Sequence, residues 1–123
     1  MGGAVVHFEI MGQDAGKLRA FYGELFGWSV NTDNPFNYGT VDRTENLSSQ
    51  GIGIGGGIGQ LPDAAMPGHV TVYVEVPDVE AALVQAESLG GTRLMGPEQV
   101  MEGVEIGMAS DPEGHVIGVI KAT

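Results

Sequence analysis

Two histidines and one glutamate are the residues of this sequence best suited to acid–base or metal chemistry. His7 and Glu9 stand two positions apart in a run rich in β-branched and aromatic residues, so a strand would place both side chains on one face. His69 opens a second run of the same kind. Imidazoles bind divalent metals or hydrogen-bond to oxygen atoms, and a glutamate can accept a proton. Histidines in such strands also occur as ordinary, hydrogen-bonded structural residues.

Several further side chains could line a pocket with these residues. They are Met11 on the strand of His7, Thr71 and Tyr73 on the strand of His69, and the same-face pairs Phe36 with Tyr38 and Ile106 with Met108. The alternative is that these aromatic and methionine side chains belong to an ordinary core. The sequence holds no cysteine, no nucleophile elbow and no dinucleotide-binding fingerprint, so thiolate chemistry is excluded and those two enzyme classes are disfavoured.

The strands that carry the histidines open two similar halves of the chain. Each strand is followed by an aspartate suited to a helix N-cap, an apolar stripe at helical spacing, and a glycine suited to end the helix. These landmarks are residues 4–11, Asp14 and Gly27 in the first half, and residues 69–76, Asp78 and Gly90 in the second. The matching landmarks are separated by almost equal lengths of chain, which indicates an internal duplication.

Short strand-like runs follow each predicted helix. They are residues 28–32, 36–43 and 51–59 in the first half, and residues 92–94 continuing toward 100, 104–109 and 115–121 in the second. Each half is therefore predicted to be a βαβββ module, and the chain to be a single α+β domain. Module one spans residues 4–59, a linker residues 60–68, and module two residues 69–121. Whether the modules pair within one chain or between two chains stays open.

A glycine-rich run coincides with the last strand predicted in the first half. Every odd position from 51 to 59 is glycine, so an extended chain would present one face without side chains and another with Ile52, Ile54 and Ile58. A bare face permits another group to approach closely. Three interpretations remain open, namely a ligand cavity, a close backbone contact between subunits, and a flexible loop.

Charge and hydropathy restrict the classes of partner. The 123 residues include 5 lysines and arginines against 16 aspartates and glutamates, a formal net charge of −11. Such a surface repels phosphate backbones and anionic lipids, so neither nucleic acid nor a membrane is expected as a partner. No apolar stretch approaches the roughly 20 residues of a membrane helix, and no signal peptide is expected. We therefore predict a cytoplasmic protein.

The order of these motifs resembles the vicinal oxygen chelate superfamily of glyoxalase, bleomycin-resistance and dioxygenase proteins, especially glyoxalase-like proteins related to lactoylglutathione lyase. The resemblance is carried by residues 7–10 and 21–28, residues 68–70 and 89–91, and the Asp-Pro-Glu-Gly-His turn at residues 111–115. These motifs cover nearly the whole chain in the right order. The resemblance implies two βαβββ modules whose sheets form an open cup, a small-molecule site inside the cup, and a homodimer.

The resemblance also implies where a metal would bind. In metal-dependent members four strands each give one ligand, and His7 and His69 stand at two of these positions. The last position is Gly118, which has no side chain, and the remaining one falls in the glycine-rich run, beside which Gln60 is the nearest polar side chain. Two imidazoles alone make a weak metal site, so no cofactor is expected. If a divalent metal does bind, His7 and His69 are its ligands, with Glu9 or a partner chain's carboxylate completing the site.

The functional expectation follows from the resemblance. We expect a glyoxalase-like protein that binds a small organic molecule, with any lyase or isomerase chemistry using Glu9 to move a proton. The expected ligand-binding residues are His7, Met11, Phe36, Tyr38, His69, Thr71, Tyr73 and Met108. One alternative is a non-catalytic protein that sequesters a drug or metabolite, as bleomycin-resistance proteins do, and another is a metal-dependent lyase or dioxygenase. The sequence neither identifies the ligand nor decides whether the chain is an enzyme.

Overall fold

The chain folds as two βαβββ modules. The computed structural model describes residues 2–35, 38–63 and 67–122. In chain order the elements are β1 (Val5–Gly12), α1 (Ala15–Phe26), β2 (Val30–Asn31), β3 (Gly39–Val41), a 3₁₀ turn (Arg43–Glu45), β4 (Gly55–Gln60), β5 (His69–Glu75), α2 (Val79–Ser88), β6 (Thr92–Met101), β7 (Val104–Ser110) and β8 (Val116–Ala122). The predicted α+β class and βαβββ order are confirmed. No helix in the described ranges is long and apolar enough to cross a membrane.

Two compact units divide the chain, His7–Val70 and Met1–Val6 with Thr71–Thr123. In the first unit β1 pairs in parallel with β4, β4 pairs antiparallel with β3, and β3 pairs antiparallel with β2. In the second unit β5 pairs in parallel with β8, which pairs antiparallel with β7, and β7 pairs antiparallel with β6. The same strand order in both units matches the duplication predicted from the sequence.

The helix ends lie where the capping residues predicted them. The Asp14 side chain accepts a hydrogen bond from the backbone N–H of Lys17, and Asp78 accepts one from the N–H of Ala81. Gly27 ends α1 in the left-handed region with a φ of 74°, which glycine adopts without strain. These signals are local, so the surrounding fold does not override them.

The apolar stripes of the two helices differ in burial. Val79 and Leu83 of α2 are buried and pack with Ala109 of β7, forming the core of the second unit. In contrast, Phe21, Leu25 and Phe26 of α1 are each more than half exposed. Helical spacing therefore predicted the elements correctly but did not distinguish a core face from an exposed apolar face.

The glycine-rich run forms a shorter strand than expected. β4 begins at Gly55, and residues 51–54 precede it in a turn in which the Ser48 hydroxyl accepts from the backbone N–H of Ile52. Gly51 has a φ of 77°, which breaks the extended conformation. Ile52 is therefore 66% exposed, whereas Ile58 inside the strand is fully buried. The strands predicted at residues 28–32 and 36–43 are likewise shorter, and Phe36 lies outside the described residues.

Candidate functional site

Three polar side chains of the first unit come together around the carboxylate of Glu9. The Tyr38 hydroxyl donates to Glu9 Oε1 over 3.0 Å and lies 3.1 Å from His7 Nε2. His69 Nε2 lies 3.8 Å from Glu9 Oε2. Glu9 itself is only 9% exposed, so its charge is largely removed from bulk water. We call His7, Glu9, Tyr38 and His69 the Glu9 cluster.

The hydrogen bonds of the cluster have a defined direction. Burial lowers the pKa of His7 below its usual value, and the negative charge of Glu9 offsets part of that shift. The His7 imidazole is therefore neutral at neutral pH. Because Tyr38 gives its one proton to Glu9, its oxygen accepts from His7, which assigns the His7 proton to Nε2. Two hydrogen bonds thus follow one another, the first donated by His7 to Tyr38 and the second donated by Tyr38 to Glu9.

His69 approaches the other carboxylate oxygen of Glu9. Its Nε2 atom is buried and makes no hydrogen bond within the described part of the chain. Buried polar atoms without a hydrogen bond are rare in folded proteins, and a catalytic role is one of the explanations for them. The ion-pair distance to Glu9 makes His69 part of the cluster rather than a surface histidine.

The bare face of β4 positions the Tyr38 ring. Gly57 stands beside Glu9 in the parallel register of β1 and β4, and a Cβ atom at Gly57 would overlap the ring of Tyr38. At Gly59 a Cβ would lie 2.9 Å from the same ring and 2.8 Å from the sulfur of Met11. The occupant of the glycine face is therefore a ring of the same chain, which none of the three sequence interpretations included.

The backbone of Tyr38 is fixed by Asn34. The Asn34 amide nitrogen donates to the Tyr38 carbonyl over 2.6 Å, and the Tyr38 N–H donates to the Asn34 side-chain oxygen over 3.0 Å. Both backbone polar groups of Tyr38 are thus bonded to one asparagine side chain, as is common for asparagine in turns. Sequence reasoning missed Asn34, because an asparagine four residues before a tyrosine is not a distinctive signal.

The remaining predicted ligand-binding residues are placed in different surroundings. Met11 is half-buried beside Gly59 on the cluster's strand face. Thr71 and Tyr73 are buried in the second unit, where Thr71 donates to the carbonyl of Val116. Met108 is half-buried on β7 of that unit. A role for these residues in binding a ligand stays a prediction, and Phe36 lies outside the residues described.

Comparisons with known proteins decide the family. Residues 7–120 match the family model described as the glyoxalase-like domain. The chain belongs to this family. A comparison with curated proteins gives no match.

Several solved structures share this fold, among them the following three. Methylmalonyl-CoA epimerase from Streptomyces coelicolor, in complex with 2-nitronate-propionyl-CoA, is 15% identical with a TM-score of 0.60, and the match covers 100% of this chain and 99% of that chain. A glyoxalase/bleomycin resistance/dioxygenase superfamily member from Vibrio splendidus 12B01 is 13% identical with a TM-score of 0.61, covering 96% and 97%. A variant of homoprotocatechuate 2,3-dioxygenase from B. fuscum, in complex with HPCA, is 16% identical with a TM-score of 0.63, covering 99% of this chain and 34% of that chain. At these identities the similarity shows the fold.

The donor set of this glyoxalase-like domain does not fit the metal centre that the superfamily implies. His7 Nε2 and Glu9 Oε1 are both directed at the Tyr38 hydroxyl rather than at a shared centre. Among the described residues there is no group of three or more histidine, aspartate or glutamate side chains arranged to hold a metal ion. Gln60 is committed elsewhere, because its oxygen accepts from the N–H of Ala15 at the start of α1. A divalent cation needs about three protein ligands at one centre.

Neighbouring side chains crowd Gly118, the last ligand position that the resemblance implies, and also its equivalent in the first unit, Gly59. Met11 is paired with Gly59 in the first unit and Tyr73 with Gly118 in the second, so the two glycines occupy equivalent positions. A Cβ at Gly118 would lie 2.5 Å from the ring of Tyr73, as one at Gly59 would crowd Met11 and Tyr38. Neither position accepts a carboxylate side chain unless these neighbours move.

Proposed function

We propose that this glyoxalase-like domain binds a small, uncharged organic molecule at the Glu9 cluster and moves a proton on it without a resident metal. The observation that carries the proposal is the hydrogen-bond series that ends on the buried Glu9 carboxylate. A carboxylate held in low dielectric beside a phenol and neutral imidazole is suited to act as a general base. The chemistry would be of the isomerase or lyase type.

Charge supports an uncharged ligand. The cluster contains no lysine or arginine, and the whole chain has a formal net charge of −11. A carboxylate or phosphate on the ligand would therefore meet Glu9 without a compensating lysine or arginine in the cluster. The similar epimerase and dioxygenase structures hold small organic ligands, which supports small-molecule binding as the general role of the fold.

The test is proton exchange at carbon in protein dialysed against a chelator. Uncharged carbonyl compounds are incubated in D₂O, and loss of their C–H signals is followed by proton NMR. We expect exchange by the untreated and the chelated protein alike, reduced on the order of 10²–10⁴-fold by Glu9→Gln, because that is the usual contribution of a general base. Glu24→Gln, which changes an exposed carboxylate of α1, is the matched control. Activity that disappears on chelation and returns with a metal would instead support a metal-dependent lyase or dioxygenase.

The second candidate function is non-catalytic sequestration of a drug or metabolite. It is favoured by the apolar and aromatic groups, Met11 and the Tyr38 ring, that surround the glycine face. Such surfaces bind neutral molecules through burial of apolar area. Binding detected by thermal shift, without any proton exchange and unaffected by Glu9→Gln, would decide for sequestration.

We also propose a cytoplasmic homodimer. Support for the dimer comes from the apolar side chains of Phe21, Leu25 and Phe26, each more than half exposed on α1, since contiguous apolar surface commonly marks an interface. Sedimentation velocity of the wild-type chain and of Leu25→Glu tests this directly. A monomeric wild-type chain would contradict it.

A further inference from the structure

We propose that Tyr38 is the catalytic acid of the site. Its phenol would polarise the carbonyl oxygen of an uncharged, enolisable aldehyde or ketone while Glu9 removes the neighbouring C–H proton. This inference rests on the proposed function, which requires only that Glu9 act as a base. It adds the group that stabilises the developing negative charge, a task that a metal performs in metal-dependent relatives.

The position of the Tyr38 hydroxyl is the first support. It is within hydrogen-bond distance of both His7 and Glu9, at 3.1 Å and 3.0 Å respectively. The ring reaches this position only because Gly57 and Gly59 carry no side chain, and Asn34 holds the backbone behind it. The chain therefore places a phenol on the same strand face as its candidate base.

The direction of the hydrogen bonds is the second support. His7 donates its Nε2 proton to the phenol oxygen, so negative charge that develops on that oxygen is stabilised as Tyr38 gives up its own proton. Without a ligand, Tyr38 donates to Glu9. When a carbonyl oxygen replaces Glu9 as the acceptor of the Tyr38 proton, Glu9 Oε1 can accept a proton from carbon instead. Ligand binding thus replaces the hydrogen bond from Tyr38 to Glu9 by one from Tyr38 to the ligand, so the acid contacts the carbonyl oxygen and the base can accept a proton.

The proposed step balances without an added reagent. The C–H bond next to the carbonyl breaks, its proton passes to Glu9, and its electron pair forms the carbon–carbon double bond of an enol. The carbonyl electron pair moves to oxygen, which takes the Tyr38 proton. Return of a proton from Glu9 to carbon and from the enol oxygen to Tyr38 regenerates both groups. Nothing is oxidised or reduced.

The substrate class follows from the charges around the site. The carbonyl oxygen accepts the proton of a neutral phenol, and the phenol oxygen is in turn hydrogen-bonded to a neutral imidazole, which suits a neutral carbonyl group. A second negative charge on the substrate would be repelled by Glu9 before the proton is transferred. We therefore expect an uncharged carbonyl compound to react and an anionic compound of similar size to fail.

Tyr38→Phe is the deciding variant, because it keeps the ring on the glycine face and removes only the hydroxyl. The probes are hydroxyacetone, cyclohexanone and phenylacetaldehyde in D₂O, with pyruvate as the anionic comparison. We expect kcat for proton exchange to fall on the order of 10²–10³-fold, as on removal of one donor to an oxyanion, with KM little changed. Tyr22→Phe, which removes a phenol hydroxyl on α1, should leave kcat unchanged.

A second variant tests the same role of Tyr38 without changing Tyr38 itself. His7→Leu removes the N–H donated to the phenol and should lower kcat on the order of tenfold while Tyr38 remains, the usual worth of one hydrogen bond. The Tyr38 role is overturned if Tyr38→Phe exchanges at the wild-type rate, and the proposed function survives if Glu9→Gln still abolishes exchange. If the wild-type protein exchanges pyruvate as fast as the uncharged probes, or exchanges none of them, the substrate class is wrong.

Discussion

Replacing Gly57 by alanine should dislodge Tyr38 from the Glu9 cluster and destabilise the first unit. The added Cβ would fall well inside 3.0 Å of the Tyr38 ring, a separation that real Cβ contacts essentially never show. If the ring stays, overpacking costs about 1–3 kcal/mol of unfolding free energy. If the ring leaves, the hydrogen bonds to His7 and Glu9 are lost, each worth about 0.5–1.5 kcal/mol. Alanine also lowers the conformational entropy of the unfolded chain, which raises the unfolding free energy by about 0.4–1 kcal/mol.

The expected net loss for Gly57→Ala is therefore about 1 kcal/mol, the overpacking cost less the smaller gain from restricting the unfolded chain. Urea unfolding of the wild type, Gly57→Ala, Tyr38→Ala and the double variant measures it as a cycle. Gly55→Ala is the matched control on the same strand face, because its Cβ would approach no atom more closely than the Val41 carbonyl oxygen at 3.1 Å. In the Tyr38→Ala background the cost of Gly57→Ala should largely disappear. An equal cost in both backgrounds would refute the packing argument.

Three further predictions follow from single contacts. Asn34→Ala removes both hydrogen bonds to the Tyr38 backbone and should lower the unfolding free energy by about 1–3 kcal/mol in urea. Gly118→Ala should cost about 1–3 kcal/mol by overpacking, and much less when Tyr73 is also alanine, as thermal unfolding would show. Neighbouring backbone N–H groups lower the pKa of Asp111, so its contribution to stability is present at neutral pH and lost as pH falls from about 4 through the lowered value. Asp111→Asn should therefore flatten the acid side of the melting-temperature profile, and an unchanged profile would contradict this.

Local sequence signals predicted the elements of the fold and the ends of its helices. They did not predict where β4 begins, which depends on the backbone conformation of the preceding residues. Asp14, Gly27 and Asp78 act within one helical turn, so their effect could be predicted from neighbouring residues alone. The alternating glycines predicted a strand from residue 51, but alternation does not reveal where a turn begins. The left-handed φ of Gly51 ends the extended conformation there, and β4 starts only at Gly55.

The candidate site could be predicted in part for the same reason. Strand periodicity predicted that His7 and Glu9 share one face, and both side chains contact the Tyr38 hydroxyl. The contact itself could not be predicted, because it depends on a loop held by Asn34 and on the missing side chain of Gly57. The sequence indicated that something could approach the glycine face closely, and it did not identify a ring from 19 positions earlier in the chain as the occupant.

The packing around Gly59 and Gly118 supports the proposal of a site without a resident metal. A glycine whose neighbours did not pack against it would leave a void, and the lining of a void loses its dispersion contacts. Here the volume at Gly59 is taken by Met11 and Tyr38, and that at Gly118 by Tyr73. Each glycine is thus matched to a large neighbour, so one substitution such as Gly118→Glu cannot restore a ligand without displacing a packed ring. Aromatic packing and a phenol thus occupy the positions beside both glycines, which supports the proposed metal-independent chemistry at Glu9.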